Sequence, residues 1–375
     1  MEIAIYEIIH LDWIIPIARL LEDDNYNVTF YVSSGFEHTL KKALPQSYHK
    51  YTWVHVQPEA SVLSFYKSFS QVFSKPTWDI ILLNSVDSRH LFIYFSLLKN
   101  KKTKILLNVH DVNNFFKPQI SFQYRKILRK IGKRLLNKII DGFVVNANEM
   151  KKYIEDQALT KKPVYWIPPV IFESSTLENN LESGFTVVIP GTVDKRRRDY
   201  DLILSIIREF WNDGIHSIRF IIAGQPAGAY GNNLIETFHQ LADQGFPIVY
   251  FTDEIPELQF QKLVASATVI LSPLQSQTAI HDNITEAYGT TKGSGNVYDA
   301  IRHAKPMIIP ASIQKVKAIE SSCITYSSGS DLKKLLLQLA TDQTRLLNLQ
   351  TKAIENSLKF TKEKTKEKFN KALQL

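Results

Sequence analysis

From Ile284 to Pro310 the chain reads ITEAYGTTKGSGNVYDAIRHAKPMIIP. An acidic residue, Glu286, lies near its start, and a polar, glycine-rich turn follows. The pattern then predicts a helix that carries Asp299 and ends before Lys305, followed by a short apolar strand. Such a turn leaves unbonded backbone N–H groups at the positive end of a helix, where phosphate binds well. An ordinary helix start with Ser294 as N-cap fits the same residues, so the anion site is one of two interpretations.

The length and composition of the chain are those of a globular protein with two domains. The chain has 375 residues, enough for two full hydrophobic cores, and its net charge of +8 favours polyanionic partners. Its single cysteine, Cys323, excludes an internal disulfide and a cysteine-based zinc site, which fits a reducing compartment. The N-terminal residues lack a basic signal-peptide region, and no apolar run is long enough to cross a bilayer. We therefore expect a cytoplasmic protein.

Strand-like and helix-like segments alternate along most of the chain. Apolar, β-branched runs recur seven times between residues 3 and 167 and six times between residues 186 and 325. This rhythm predicts an α/β fold with two doubly wound, Rossmann-like domains that face a central cleft. The predicted domains are 1–170 and 185–345, joined by a polar linker at 171–184. A helical tail, 346–375, either extends into solvent or crosses back to the first domain.

A second anion signal opens the second domain, in the sequence VVIPGTVDKRRRDYDLIL from Val187 to Leu204. A strand ends before Gly191, and four consecutive cations, Lys195 to Arg198, precede a helix. Guanidinium matches phosphate in bidentate geometry. Cations at a helix start oppose the helix dipole, so a solvated basic loop is the less favoured interpretation.

The two turns together resemble the donor-binding half of GT-B-fold glycosyltransferases, most closely the retaining group called glycosyl transferases group 1. Gly191 and the following cations match the first signature of that group, although Thr192 replaces its usual arginine. Glu286, Tyr288, Gly289 and Asp299, with Ala304-Lys305-Pro306, match the second signature. The spacing between the two acids is wider here, through an insertion around Lys292–Gly295, and the second acid is aspartate.

The resemblance implies roles for these residues. Glu286 would contact the donor sugar and Asp299 the ribose, while the backbone near Ile255 would contact the base. Which cation replaces the missing arginine stays open, and the departing diphosphate is expected to be stabilised by the backbone around Ser294–Gly295 and by Arg196, Arg197, Arg198 and Lys292. Glu286 and Arg198 are the candidate catalytic residues of this domain. Gly224 resembles the family's glycine turn near the donor, although an ordinary strand–helix turn explains Gly224 and Ile255 equally well. The donor-binding residues implied are Gly191, Thr192, Lys195, Arg196, Arg197, Gly224, Ile255, Tyr288, Gly289, Thr290, Thr291, Lys292, Ser294, Gly295 and Asp299.

The first domain contributes one candidate catalytic residue, His110. It follows the apolar run ILLNV, where the resemblance places a histidine that faces the donor sugar. His10 ends the first strand in a similar way. A histidine at the end of a buried strand is also often only a polar strand end.

A basic helix is predicted near the middle of the first domain. Residues 121–140 contain seven basic and no acidic side chains, and Ile127, Leu128 and Ile131 share one predicted face with Leu135 and Ile139. This pattern is typical of a helix that binds an anionic membrane surface. A solvated surface helix and, less favoured, an RNA-binding stripe are the alternatives. The predicted membrane or acceptor contacts are Arg125, Lys126, Arg129, Lys130 and Lys133.

These features predict a glycosyltransferase that takes a nucleotide-diphosphate sugar and acts on a saccharide or lipid-linked acceptor, in cell-surface polysaccharide or glycan synthesis. The resemblance implies retention of anomeric configuration. Asp199-Tyr200-Asp201 resembles a metal-binding DxD motif, but Asp199 fits better as a helix N-cap, so no metal or cofactor is expected. No nucleic acid partner is expected. A nucleotide-sugar epimerase of the same fold and a non-catalytic glycosyltransferase-like subunit remain alternatives.

Overall fold

The computed structural model describes residues 1–23, 26–57, 61–75, 77–86, 89–100, 102–117, 123–174, 184–279 and 284–374. Most of the predicted linker, residues 175–183, and the first two residues of the basic stretch 121–140 lie outside these ranges. The chain divides into two compact units. The first comprises Met1–Val170 together with Lys362–Leu375, and the second comprises Ile171–Thr361.

The first unit is built on a seven-stranded parallel sheet in the order β3-β2-β1-β4-β5-β6-β7. The strands are buried apolar runs such as IAIY in β1, as expected for a parallel sheet covered on both faces. The strands are β1 (Glu2–Glu7), β2 (Asn27–Ser33), β3 (Thr52–Val56), β4 (Ile80–Leu83), β5 (Lys104–Asn108), β6 (Gly142–Val145) and β7 (Val164–Trp166). The helices are α1 (Leu11–Leu21), α2 (Glu37–Ala43), α3 (Val62–Phe73), α4 (His90–Leu97), α5 (Val112–Phe116), α6 (Tyr124–Ile139) and α7 (Asn148–Asp156).

The second unit repeats this architecture with a six-stranded parallel sheet in the order β10-β9-β8-β11-β14-β15. In each sheet the strand order therefore reverses direction between the first strand along the chain and its neighbour, β1 and β4 in one sheet and β8 and β11 in the other. Doubly wound folds bind their ligands at this point. The strands are β8 (Phe185–Pro190), β9 (Ile218–Ala223), β10 (Ile248–Val249), β11 (Val269–Leu271), β14 (Met307–Pro310) and β15 (Cys323–Tyr326). The helices are α8 (Tyr200–Asn212), α9 (Gly228–Asp243), α10 (Glu257–Ala265), α11 (Gly295–Arg302), α12 (Gly329–Thr341) and α13 (Gln343–Ser357).

The predicted α/β class with two Rossmann-like domains is confirmed by these two parallel sheets. The sequence pattern did not predict the antiparallel hairpin of β12 (Gln277–Ala279) and β13 (Thr285–Ala287), which precedes α11. Each of its strands has three residues, too few to establish an alternating pattern.

The last helix, α14 (Lys362–Leu373), belongs to the first unit. Phe369 is fully buried, and the carbonyl oxygen of Ala372 accepts a hydrogen bond of 3.0 Å from Lys104. The ammonium of Lys362 lies 2.6 Å from the carboxylate of Asp23. These contacts attach the end of the chain to the unit that contains its beginning.

Candidate functional site

The turn after β8 requires glycine at position 191. Gly191 has a φ angle of +99°, and a β-carbon at this position would lie 2.1 Å from the guanidinium Nη2 of Arg198. Its N–H donates to the carbonyl of Ala223 at 2.8 Å, and its own carbonyl accepts from the hydroxyl of Tyr200 at 3.0 Å. A side chain at Gly191 would therefore displace Arg198.

Gly224 brings the next strand end close to the same turn. It follows β9, and a β-carbon there would lie 2.1 Å from the carbonyl oxygen of Gly191. The contact is with backbone, which cannot move aside as a flexible side chain could. The glycine at position 224 thus permits the ends of β8 and β9 to approach each other.

The structure separates the four consecutive cations. Arg196 donates through Nε and Nη2 to the two carboxylate oxygens of Asp194, at 3.2 and 2.9 Å, and Arg197 Nε lies 3.9 Å from the same carboxylate. Burial by itself would raise the pKa of Asp194, but its bonds to Arg196 and the charge of Arg197 outweigh this and lower the pKa. Lys195 lies 3.3 Å from Asp201. Three cations are therefore paired with carboxylates.

Arg198 differs from its neighbours because its side chain turns inward and is only 7% exposed. Nη1 donates to the carbonyl of Thr192 at 3.2 Å, and Nη2 donates to the side-chain oxygen of Asn296 at 3.2 Å. Nε has no hydrogen-bond partner. Among the described residues, no carboxylate lies within ion-pair distance of this guanidinium. A buried cation without a counter-ion is costly, and a bound anion would remove that cost.

The second turn meets the first at Asn296, which no sequence pattern singles out. Its amide Nδ2 donates to the carbonyl of Pro190 at 3.1 Å, while Oδ1 accepts from Arg198. Asn296 is the second residue of α11, so these bonds hold the start of that helix against the end of β8. The structure thus brings both glycine-containing turns together.

The N-terminus of α11 is open. Ser294 precedes the helix in an extended conformation, and its side chain makes no capping hydrogen bond. In the described part of the chain, nothing accepts from the backbone N–H groups of Gly295 and Asn296. A β-carbon at Gly295 would meet no heavy atom within 4 Å. Two N–H donors at a helix N-terminus, beside a buried guanidinium, can bind a phosphate group.

Hydrogen bonds within the turn before α11 hold its shape. The hydroxyl of Thr291 accepts from the N–H of Ala287 at 2.8 Å, and Thr290 donates to the side chain of Gln314 at 3.1 Å. Gly289 has a φ angle of +77°, and its N–H donates to the carbonyl of Lys292 at 3.0 Å. Both threonine hydroxyls thus stabilise the turn, and their predicted contact with the donor stays a prediction.

Both acidic residues of the second signature are buried. Glu286 lies on β13 opposite Thr278, on the inward face of the hairpin. Asp299 lies on α11, one turn beyond its start, and its carboxylate is 3.5 Å from Nη1 of Arg302. Tyr288 is buried in the intervening turn, and Ile255 lies half-buried in the segment before α10. Their roles toward a donor stay predictions.

His110 lies in the first unit, two residues beyond β5. Its Nε2 is 3.0 Å from the backbone carbonyl of Asn84 and 3.2 Å from the hydroxyl of Ser85. The rings of His10 and His110 are 4.8 Å apart. The structure therefore places these two histidines together at the carboxyl edge of the first sheet.

The described residues contain no cluster of three or more histidine, cysteine, aspartate or glutamate side chains that could hold a metal ion. The carboxylate of Asp199 accepts from the N–H of Leu202 at 3.0 Å, which confirms it as the N-cap of α8.

The fold and the edges of its two sheets define a protein of the GT-B architecture. No protein-family model matches the chain, and no curated protein matches its sequence. Solved structures match over its whole length. A sucrose-phosphate synthase from Thermosynechococcus elongatus is 13% identical with a TM-score of 0.65, and the match covers 100% of this chain and 98% of that one.

Two further structures resemble the chain to a similar degree. HepE from Anabaena, in complex with UDP and glucose, is 12% identical with a TM-score of 0.66, covering 100% of this chain and 99% of that one. A UDP-GlcNAc 2-epimerase from Neisseria meningitidis, bound to UDP-GlcNAc, is 11% identical with a TM-score of 0.62, covering 100% of both chains. At these identities the similarity shows the shared two-domain fold.

Proposed function

We propose that the second unit binds the diphosphate of a nucleotide sugar between Arg198 and the start of α11, and that the protein transfers the sugar to a saccharide or lipid-linked acceptor. One observation carries the proposal. Arg198 is a buried cation with no described carboxylate partner, and Asn296 holds it beside two N–H donors without acceptors. A diphosphate supplies the missing negative charge and the missing acceptors.

The same arrangement would assist transfer. Negative charge grows on the diphosphate as the bond to the sugar breaks, and donors fixed in place stabilise that charge without reorganising. Glu286 and Asp299, which flank the turn, are the proposed contacts of the sugar and the ribose. His110 of the first unit is the proposed contact of the sugar from the acceptor side. Retention of configuration is proposed on the family resemblance alone.

Two structural neighbours support a sugar nucleotide as the ligand. HepE is seen with UDP and glucose, and a pneumococcal O-GlcNAc transferase, with a TM-score of 0.55, is seen with UDP and GlcNAc. Uridine is therefore the first base to test.

A thermal-shift series tests the binding step. UDP, GDP and ADP are compared with UMP at one common concentration, about 100 times the dissociation constant of the tightest diphosphate, where that ligand adds about 2.7 kcal/mol to stability. For a unit of this size we expect at least one diphosphate to raise Tm by roughly 5–10 °C, and its monophosphate to raise it less. If no nucleotide changes Tm while the protein stays folded, the proposal is wrong, and a non-catalytic glycosyltransferase-like subunit is favoured instead.

An epimerase is the second candidate, because two UDP-GlcNAc 2-epimerase structures match nearly as well, with TM-scores of 0.63 and 0.62. An epimerase converts its substrate without an acceptor. NMR analysis of UDP-GlcNAc incubated with the protein alone separates the two functions. Our proposal predicts no epimer, whereas an epimer formed without acceptor would contradict it.

We further propose that α6 binds an anionic membrane. The helix packs inward through Gly132 and Leu136, since a β-carbon at Gly132 would lie 2.7 Å from the backbone nitrogen of Leu91. Ile127, Leu128 and Ile131 remain 43%, 47% and 42% exposed. Exposed apolar side chains beside several cations are typical of a helix that binds a membrane surface.

The neighbouring helices also carry exposed apolar side chains. α4 packs against both α3 and α6. On α3 and α4, Leu63 and Phe95 are exposed by 79% and 50%. Of the predicted lipid-binding cations, Lys133 donates to the carbonyl of Asn114 at 2.7 Å, and Arg125 donates to the hydroxyl of Tyr124. Lys126, Arg129 and Lys130 are the remaining predicted contacts. None of the helices in the described residues is long and apolar enough to span a membrane.

Vesicle sedimentation tests this surface. We expect the protein to bind vesicles containing phosphatidylglycerol, not pure phosphatidylcholine, and Ile131→Glu to reduce that binding at least several-fold. Leu347→Glu is the matched control, because Leu347 is 60% exposed on α13 of the second unit. Equal binding to both vesicle types, or an equal loss in both variants, would contradict the proposal.

A further inference from the structure

One side chain of α10 bonds to the end of α11 in the second unit. Oε1 of Gln261 lies 2.6 Å from Nε2 of His303, the residue that caps the C-terminus of α11. The amide nitrogen of Gln261 donates to the carboxylate of Glu257, one turn earlier in α10, at 2.7 Å. These two contacts connect the first residue of α10 with the C-terminal end of α11.

The Glu257 carboxylate fixes the orientation of the Gln261 amide. An ionised carboxylate only accepts hydrogen bonds, so it requires the NH₂ of Gln261 on its side, and the amide oxygen then faces His303. Burial lowers the pKa of His303 to about 3, so the ring is neutral and carries one proton. Its Nδ1 is enclosed and has no hydrogen-bond partner in the described ranges. The proton therefore lies on Nε2, and His303 donates to Gln261.

Apolar packing alone holds α10 with few buried side chains. The helix packs on β8 and β9. The structure describes all nine of its residues, and Val264 is the one fully buried side chain among them. Packing of an apolar face supplies most of the free energy that holds a surface helix in a protein. The hydrogen bond from Gln261 to a ring that is only 6% exposed adds a directional contact to this limited packing.

The start of α10 lies at the sheet edge that also carries the two turns of the proposed diphosphate site. β10 ends at Val249, and residues 250–256 lead from its carboxyl end to Glu257. The start of α11 bonds to the carbonyl of Pro190, at the carboxyl end of β8 in the same parallel sheet. A nucleotide whose diphosphate binds at these turns has its nucleoside near the same edge, where doubly wound folds bind such ligands.

We propose that Gln261 and His303 are positioning residues that fix α10 against the end of α11, and so hold residues 250–256 where they contact the base of a bound nucleotide. The inference rests on the proposed function, which supplies the nucleotide, and on the predicted contact of the base near Ile255. Neither side chain would touch the ligand. Their hydrogen bond instead connects the segment proposed for the base to the helix whose first residues would bind the diphosphate.

NMR of the full-length protein labelled with ¹⁵N-histidine tests the hydrogen bond without any nucleotide. Two-bond ¹H–¹⁵N spectra report the tautomer, and His303→Gln assigns the signals by their loss. We expect a neutral His303 ring with its proton on Nε2 in the wild type. A ring with its proton on Nδ1 would overturn the inference, because Gln261 would then face a nitrogen that cannot donate.

Hydrogen exchange of the backbone amides of α10 tests the positioning. Gln261→Met keeps the length of the side chain but removes its strong acceptor, so we expect these amides to exchange roughly 3- to 10-fold faster, with those of α9 unchanged. Gln259→Met is the matched control, because Gln259 is an exposed glutamine of the same helix. His303→Leu should act like Gln261→Met, whereas His303→Gln keeps an N–H donor and should retain the wild-type protection.

Titration calorimetry with UDP connects this bond to the proposed site. We expect the dissociation constant to rise about 3- to 10-fold in Gln261→Met and His303→Leu, and to stay within about twofold of the wild type in Gln259→Met and His303→Gln. Wild-type exchange in Gln261→Met would overturn the inference. So would faster exchange with undiminished UDP affinity, or a loss as large in His303→Gln as in His303→Leu. If the wild type binds no nucleotide, the proposed function fails, and the exchange data alone decide whether the bond fixes α10.

Discussion

Replacing the buried guanidinium should weaken nucleotide binding without unfolding the protein. In Arg198→Met, an apolar chain of similar length takes the place of a cation that no described carboxylate neutralises. Substitution of buried ions by apolar groups is often neutral or stabilising by about 1–4 kcal/mol. Against this, the Thr192 carbonyl and the Asn296 side chain lose a donor, which costs about 1–3 kcal/mol.

These two effects offset each other, so we expect the free energy of unfolding without ligand to change by less than about 2 kcal/mol and Tm by less than about 6 °C. The affinity for a nucleoside diphosphate should behave differently. A hydrogen bond between charged groups contributes about 1.5–3 kcal/mol, so the dissociation constant should rise roughly 10- to 150-fold.

Arg196→Met is the matched control. Arg196 is exposed and already bonded to Asp194, so its removal should change the dissociation constant by less than about threefold. Titration calorimetry with UDP at fixed ionic strength, with Tm measured on each variant, checks both expectations. The reasoning fails if Arg196→Met weakens binding as much as Arg198→Met, or if Arg198→Met binds UDP as the wild type does.

Three further variants probe the same unit. Gly224→Ala should cost about 1–3 kcal/mol in chemical denaturation, because its β-carbon would overlap the Gly191 carbonyl 2.1 Å away; wild-type stability would argue against that close approach. Gly295→Ala should keep wild-type stability, because its β-carbon would meet no heavy atom within 4 Å. It should bind UDP more weakly in calorimetry, because the β-carbon tilts toward the helix N-terminus where the phosphate would lie. Undiminished affinity would contradict the α11 site. Burial, with the charges of Arg302 and Lys305, lowers the pKa of His303 from 6.5 to about 3, so the stability it contributes is present above pH 6.5 and is lost as pH falls toward 3. Between pH 6.5 and 5.5, the free energy of unfolding of His303→Gln should therefore fall by about 1 kcal/mol less than that of the wild type. Denaturant titrations at the two pH values measure this, and an identical pH dependence would refute it.

The sequence predicted the two sheets because buried parallel strands are continuous apolar runs. It also located both turns, since each contains glycine and precedes a helix. It did not find Asn296, because an asparagine in the first turn of a helix looks like an ordinary helix start. Its partners, Pro190 and Arg198, are about a hundred residues away in sequence. Only tertiary packing shows that contact.

The sequence predicted where the cation cluster lies, but it did not predict the direction in which each side chain points. The pairing of Arg196 and Arg197 with Asp194 is local, and the sequence DKRR already contains that signal. Arg198 turns inward because it pairs with Leu274 through a backbone bridge beside the end of β11, which the sequence does not reveal.

The helical pattern of α6 was predicted, but its buried face was not. Gly132 allows the helix to approach α4 closely, so the contact forms around Gly132 and Leu136. The stripe that contains Ile127 and Ile131 therefore stays at the surface. Periodicity identifies apolar positions, whereas a small residue determines which side of the helix packs.

The central claim is that two turns of the second unit bind one diphosphate. A crystal structure of the protein with UDP tests it most directly. The account predicts a single pyrophosphate within about 3.2 Å of both the Arg198 guanidinium and the backbone N–H of Gly295 or Asn296. A pyrophosphate bound to the exposed side chains of Lys195 and Arg196 alone, or at a different strand end, would contradict it.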